Sequence, residues 1–201
     1  MVYAFDPTNP VAPDGRMVYD IDTHAEFGAK PIERVAYFLH LVDSEENTRW
    51  VYVEMDPFTQ AYTRIGVPTP DKDATFQQDV ANLVVKSSDA ALPSGALASG
   101  AIEFWSCNYG PEAARKLPGA SEEKYDFDDT LMASTNPGYG SLQIHDVASK
   151  TTLLAFNNFR AGRDADVGMG NSDGAHPDWT FSKSANTWAS GTLMVLVKTA
   201  K

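Results

Sequence analysis

Residues 34–55, RVAYFLHLVDSEENTRWVYVEM, decide the fold. The flanks, 34–42 and 50–55, are rich in β-branched and aromatic side chains, and the residues between them are polar turn formers. Two such runs joined by a polar loop read as an antiparallel strand pair. Successive side chains of a strand point to opposite faces, so each run splits into two rows. Val35, Tyr37, Leu39 and Leu41 make an apolar row, with Arg34, Ala36, Phe38 and His40 opposite. In the second run Val51, Val53 and Met55 face inward and leave Trp50, Tyr52 and Glu54 outside.

Further strands are predicted over 17–21, 101–105, 139–146, 151–159 and 192–197. The last, TLMVLV, lacks alternation and reads as buried on both faces. Residues 76–86, FQQDVANLVVK, carry two signals. Phe76, Val80, Leu83 and Val84 fall at helical spacing, whereas the Leu83-Val84-Val85 run favours a strand, which we assign to the second half. Elsewhere helical periodicity is absent, and Gly, Pro, Asn and Asp separate the apolar segments. The pattern predicts an all-β chain: one antiparallel, jelly-roll-like β-sandwich domain over residues 16–201. Residues 1–15, punctuated by Pro7, Pro10 and Pro13, read as an extended linker or terminal arm. They lack the basic and apolar regions of a signal peptide.

The 201 residues carry 16 Lys and Arg against 27 Asp and Glu, a net charge of −11. Nucleic acid and anionic membrane surfaces both select for positive charge, so neither is an expected partner. No apolar run approaches the roughly 20 residues a membrane-spanning helix needs. A single cysteine, Cys107, precludes an internal disulfide, and with no visible histidine partner it reads as an inert thiol.

The segment 138–146, GYGSLQIHD, is the richest in recognition chemistry. Leu142 and Ile144 form its core row, and Tyr139, Ser141, Gln143 and His145 form the other. Ile102 and Phe104 likewise leave Glu103 and Trp105 on a second face, and Asn157, Asn158 and Arg160 add planar donors and acceptors nearby. Aromatic faces beside amides, guanidinium and carboxylates suit a sugar, whose C–H face stacks on a ring while its hydroxyls pair with polar groups. A solvated sheet face would also be polar, which is the plainer explanation of the same rows.

Other chemistry finds less support. His24, His40, His145 and His176 show no zinc-ligand spacing. The stretch 160–178 offers Asp164, Asp166, Asn171 and Asp173 as hard oxygen ligands suited to calcium. Gly168 and Ala175 depart from the EF-hand pattern, and Asp, Asn and Gly form turns without any ion. Glu122, Glu123, Asp126, Asp128 and Asp129 are the raw material of a glycosidase carboxylate pair, but a charged loop has the same composition. No GxSxG elbow occurs.

The blocks RVAYFLHLVD, WVYVEMDPFT, IGVPTP, IEFWSCNYGP, KLPGASEEKYDFDD, NPGYGSLQIHD, LLAFNNF and TLMVLVK occur in this order between residues 34 and 198. Together they resemble a β-sandwich accessory module of large secreted bacterial proteins, often appended to sialate O-acetylesterase-like and other carbohydrate-active polypeptides. The resemblance implies an extracellular setting and a place within a larger multidomain protein. It implies no catalytic residue, because such esterases keep their chemistry on a separate domain.

The expected function is therefore non-catalytic binding of a poly- or oligosaccharide. The expected ligand groups are Trp105, Tyr139, Gln143, His145, Asn157, Asn158, Arg160 and Glu103. No cofactor is required, and calcium is the ion the 160–178 loop would take. A carbohydrate-active enzyme (glycoside hydrolase, polysaccharide lyase or esterase) and a structural spacer are the alternatives.

Overall fold

The alternation of residues 34–55 carries directly into the structure: Val35, Tyr37, Leu39, Leu41, Val51, Val53 and Met55 are all fully buried. The computed structural model describes residues 1–9, 18–27, 30–58, 65, 76–106, 140–149, 151–158, 165–170 and 188–200. Within them run β1 (Tyr3–Phe5), β2 (Ile21–Asp22), α1 (His24–Phe27), β3 (Ile32–Val42), β4 (Thr48–Met55), β5 (Phe76–Ser87) and β6 (Gly95–Ser106). Then follow β7 (Gly140–Asp146), β8 (Thr151–Asn158), β9 (Ala165–Gly168) and β10 (Ser190–Thr199). All pairings are antiparallel, and the strands join one sheet in the order β2-β1-β10-β3-β4-β5-β6-β7-β8-β9. The expectation of an antiparallel all-β chain is met.

An aspartate begins each of three hairpin turns. The Asp43 carboxylate accepts the backbone N–H groups of Glu45 and Asn47 at 2.8 and 2.9 Å, and Glu46 takes the left-handed conformation (φ 66°) that closes the loop between β3 and β4. Asp89 accepts from the Ala91 N–H at 2.9 Å between β5 and β6, and Asp146 from Ala148 and Ser149 between β7 and β8. A short carboxylate that mimics a backbone acceptor fixes each turn and with it the strand register. Hydrogen bonds from Asn47 and Glu45 hold the Asp43 carboxyl below its usual pKa.

The sheet is curled. Phe5 on β1 meets Phe156 on β8 edge to face, ring centroids 5.2 Å apart, although these strands lie near opposite ends of the hydrogen-bonded order. Inside the curl sits one apolar cluster that includes Tyr37, whose phenol donates to the Ile65 carbonyl at 2.9 Å. Burial pushes that phenol's pKa well above the usual range. Placing an aromatic hydroxyl in the core without such an acceptor would cost about 1–3 kcal/mol.

Four segments differ from the sequence reading. Of the strand expected over 17–21, residues 18–20 are not strand and only Ile21 enters one, β2. Residues 76–87 are strand throughout, so the helical spacing of Phe76, Val80, Leu83 and Val84 is overridden by pairing with β4 and β6. β10 is not buried on both faces: Leu193 and Val195 are fully buried, whereas Met194 and Leu196 are half-buried on the outer face. Finally, residues 3–5 of the expected arm are a strand, with Val2 and Phe5 in the core and the Val2 N–H donating to Val195 at 2.7 Å.

Candidate functional site

The register of β10, β3 and β4 stacks their outward rows into one surface. Phe38 stands directly between Met194 and Tyr52, and His40 between Thr192 and Trp50. The Phe38 and Trp50 rings lie 6.2 Å apart, and Phe38 stacks with His40 at 6.3 Å and 21°. All of these side chains are half-buried, so part of each remains accessible to solvent. The sequence singled out none of them as ligand groups. Their signal was the outer rows of a single hairpin, aromatic in both strands, which only the register turns into a platform.

At one end of the platform is a polar cluster. Arg34 donates from Nε to Glu54 Oε1 at 2.7 Å, from Nη1 to Asp56, and from Nη2 to the Asn82 carbonyl at 2.6 Å. Asn82 presents that carbonyl because it is left-handed (φ 53°), and beyond the Glu54–Val84 pair it is bypassed: the Asp56 N–H bonds Ala81 instead. One residue of β5 thereby bulges. The Asn82 amide donates to Asp56 at 2.5 Å, and the Tyr52 hydroxyl donates to Glu54 Oε2 at 2.6 Å. Half-exposed ion pairs contribute under about 1 kcal/mol each, so the cluster's main effect is geometric: it fixes the Glu54 carboxylate.

The electrostatics follow from this geometry. Donation from Tyr52, then from Arg34, holds the Glu54 carboxyl below its usual pKa. Partial burial, then the bond to Glu54, pushes the Tyr52 phenol up to about 12. A groove of about 220 Å³ opens here, lined by Arg34, Ala36, Tyr52, Glu54, Leu196 and Lys198 among others. Lys198 leans to Glu33 at 2.8 Å, which raises its pKa.

Of the residues singled out from the sequence, Glu103, Gln143 and His145 lie on other strands, β6 and β7. They do share one face, since Glu103 pairs with Gln143 and His145 is the next residue along that row. That face is not solvated: the three are exposed by 1% or less. A bulge at Leu153 puts Thr152 opposite His145, and His145 Nδ1 meets Thr152 Oγ1 at 3.1 Å. Hydroxyl, imidazole and carboxylate are the side-chain types of a nucleophile relay. However, His145 Nε2 and Glu103 Oε2 are 4.0 Å apart, beyond hydrogen-bond length, and no member is exposed to solvent. Buried polar groups in such a row stabilise one register of β6, β7 and β8 over its alternatives, which is a structural role.

Trp105, Asn157, Asn158 and Asp166 occupy β6, β8 and β9, with Asp166 paired to Asn157, but their side chains lie outside the described residues. Tyr139, Arg160, Asp164, Asn171 and Asp173 lie outside them altogether. Among the described residues no group of His, Cys, Asp and Glu is placed to hold a metal ion. Likewise no helix among them is long and apolar enough to cross a membrane. Comparison with protein-family models, with curated proteins and with solved structures finds no match to this chain. The resemblance to secreted accessory modules therefore rests on the sequence blocks alone.

Proposed function

We propose that this chain is a non-catalytic carbohydrate-binding module of a secreted polysaccharide-active protein, and that it binds its ligand on the outer face of β3, β4 and β10. In this reading the curled sheet serves as the jelly-roll-like sandwich that carries the platform. The observation that carries the proposal is the open Phe38–Trp50–Tyr52 surface beside a fixed carboxylate. The ring faces would take the C–H face of a pyranose, and Glu54 and His40 its hydroxyls. Binding requires no cofactor. The buried row of Glu103, Gln143 and His145 offers no comparable surface.

Each stacked ring is worth about 1 kcal/mol, so removing two weakens binding by about tenfold or more. Affinity electrophoresis of the purified chain in gels containing different polysaccharides tests this. Retardation that disappears in Trp50→Ala/Tyr52→Ala, with the melting temperature largely kept, supports the reading. Retardation indifferent to both substitutions, or none with any glycan, overturns it.

A further inference from the structure

We propose that the platform selects glycans by chain length, seating several successive sugar residues of one chain crosswise to the strands; the inference rests on the carbohydrate-binding reading above. Phe38, Tyr52 and Lys86 stand opposite one another on β3, β4 and β5. Beside them a second row, Leu196, Ala36, Glu54, Val84 and Ala96, crosses five strands in register from β10 to β6. Ala36 is buried and Val84 half-buried, whereas Ala96 is exposed. These short side chains make a floor along the flank of the aromatic row. Glu54 lies in its middle, held from one side by Arg34 and from the other by the Tyr52 hydroxyl.

A site for a single small ligand holds it by burying about 70–90% of its surface. The groove of about 220 Å³ is built otherwise. Among the described residues its lining comes from β3, β4 and β10 alone, which are neighbours in one sheet. It is a floor with low flanks, and it covers only the face of a sugar turned towards it. Stacking on one ring is worth about fivefold in affinity, so tight binding has to be summed over several sugars. Strand spacing supplies the repeat. Neighbouring strands lie about 4.8 Å apart, close to the rise of one pyranose unit along an extended chain. Phe38 and Tyr52 therefore meet successive sugars. The exposed Lys86 meets the next, and its ammonium can donate to a hydroxyl or to a carboxylate. The four steps of the second row span about 19 Å, room for about four residues. Neutral and acidic chains are both read by length.

The test is isothermal titration with oligosaccharides of one to six residues, cut from whichever of a β-glucan, a xylan, a galactomannan or polygalacturonate retards the chain in a gel. The tetrasaccharide should bind about tenfold or more tighter than the monosaccharide, and the gain should level off beyond about four residues. It should be lost in Tyr52→Ala and reduced severalfold in Lys86→Ala, whose side chain is exposed and whose melting temperature should match the parent's. A monosaccharide bound as tightly as the tetrasaccharide, with binding still lost in Trp50→Ala/Tyr52→Ala, overturns this inference and leaves the carbohydrate reading standing. So does a length gain that survives both Tyr52→Ala and Lys86→Ala, or retardation by a polymer whose hexasaccharide does not bind. Retardation by none of the polymers overturns that reading and this inference with it.

Discussion

Asn82, left-handed in the middle of β5, carries its backbone carbonyl to the Arg34 guanidinium of β3 at 2.6 Å, across the intervening strand β4. Asparagine tolerates this conformation better than other residues with a side chain, and β-branched residues tolerate it least. We expect Asn82→Gly to stay within about 1 kcal/mol of the parent, losing the bond to Asp56 while relieving the backbone. Asn82→Val should cost about 2 kcal/mol or more. Urea unfolding of both variants checks the order.

Closure of the curl gives a second expectation. Phe5 and Phe156 are fully buried against each other, so either alanine substitution should cost about 3–5 kcal/mol. Because the rings touch, the double variant should lose less than the sum of the two, with a coupling of about 0.5–1.5 kcal/mol. Strict additivity in a double-mutant cycle would mean that the two ends of the sheet do not meet.

Gly100 is needed for space. A Cβ there would stand 2.4 Å from the His145 carbonyl oxygen and 2.6 Å from a Leu83 methyl. The backbone atom cannot swing aside, so Gly100→Ala should destabilise by about 1–3 kcal/mol. At Gly95 a Cβ would meet nothing within 4 Å, and only its φ of 89° opposes substitution. Thermal melts should therefore rank Gly100→Ala below Gly95→Ala.

Proton linkage is expected at both ends of the pH scale. Folding raises the Tyr52 pKa from 10.0 to about 12, so the folded state holds a proton that the unfolded chain releases. The stability this contributes is complete below pH 10 and is lost as pH rises through about 12. Glu54 behaves in the opposite sense. Its lowered pKa contributes stability above the ordinary 4.5, lost as pH falls through the folded value. Phenolate absorbance should show Tyr52 titrating late in the parent and moving towards 10.0 in Glu54→Gln. An unmoved titration would remove Glu54 from its environment.

Much of this architecture is legible in the chain. Alternation in residues 34–55 and 101–105 sorts Tyr37, Val53 and Phe104 correctly into the core, because a strand's two-residue period does not depend on its neighbours. What alternation does not encode is what stands over a face. Glu103, Gln143 and His145 carry hydrogen-bonding groups and so read as outward, yet both rows are buried over residues 101–104 of β6 and 142–146 of β7. The platform was hidden for a related reason. Phe38 and Trp50 become neighbours only through the register that the Asp43 turn sets, and β10 completes their surface from residues far along the chain.

The position of β10 between β1 and β3 also bears on the order in which the chain is made. While a ribosome is still translating the residues before Ser190, β3 pairs with β4 on one side and presents a bare row of amides and carbonyls on the other. Its sequence, IERVAYFLHLV, is apolar and strand-forming, the kind of edge that recruits other nascent chains. Chaperone cover until β10 arrives, or a prematurely stopped chain that precipitates, is the biosynthetic consequence of a sheet in which β10 is made after the strands on both sides of it.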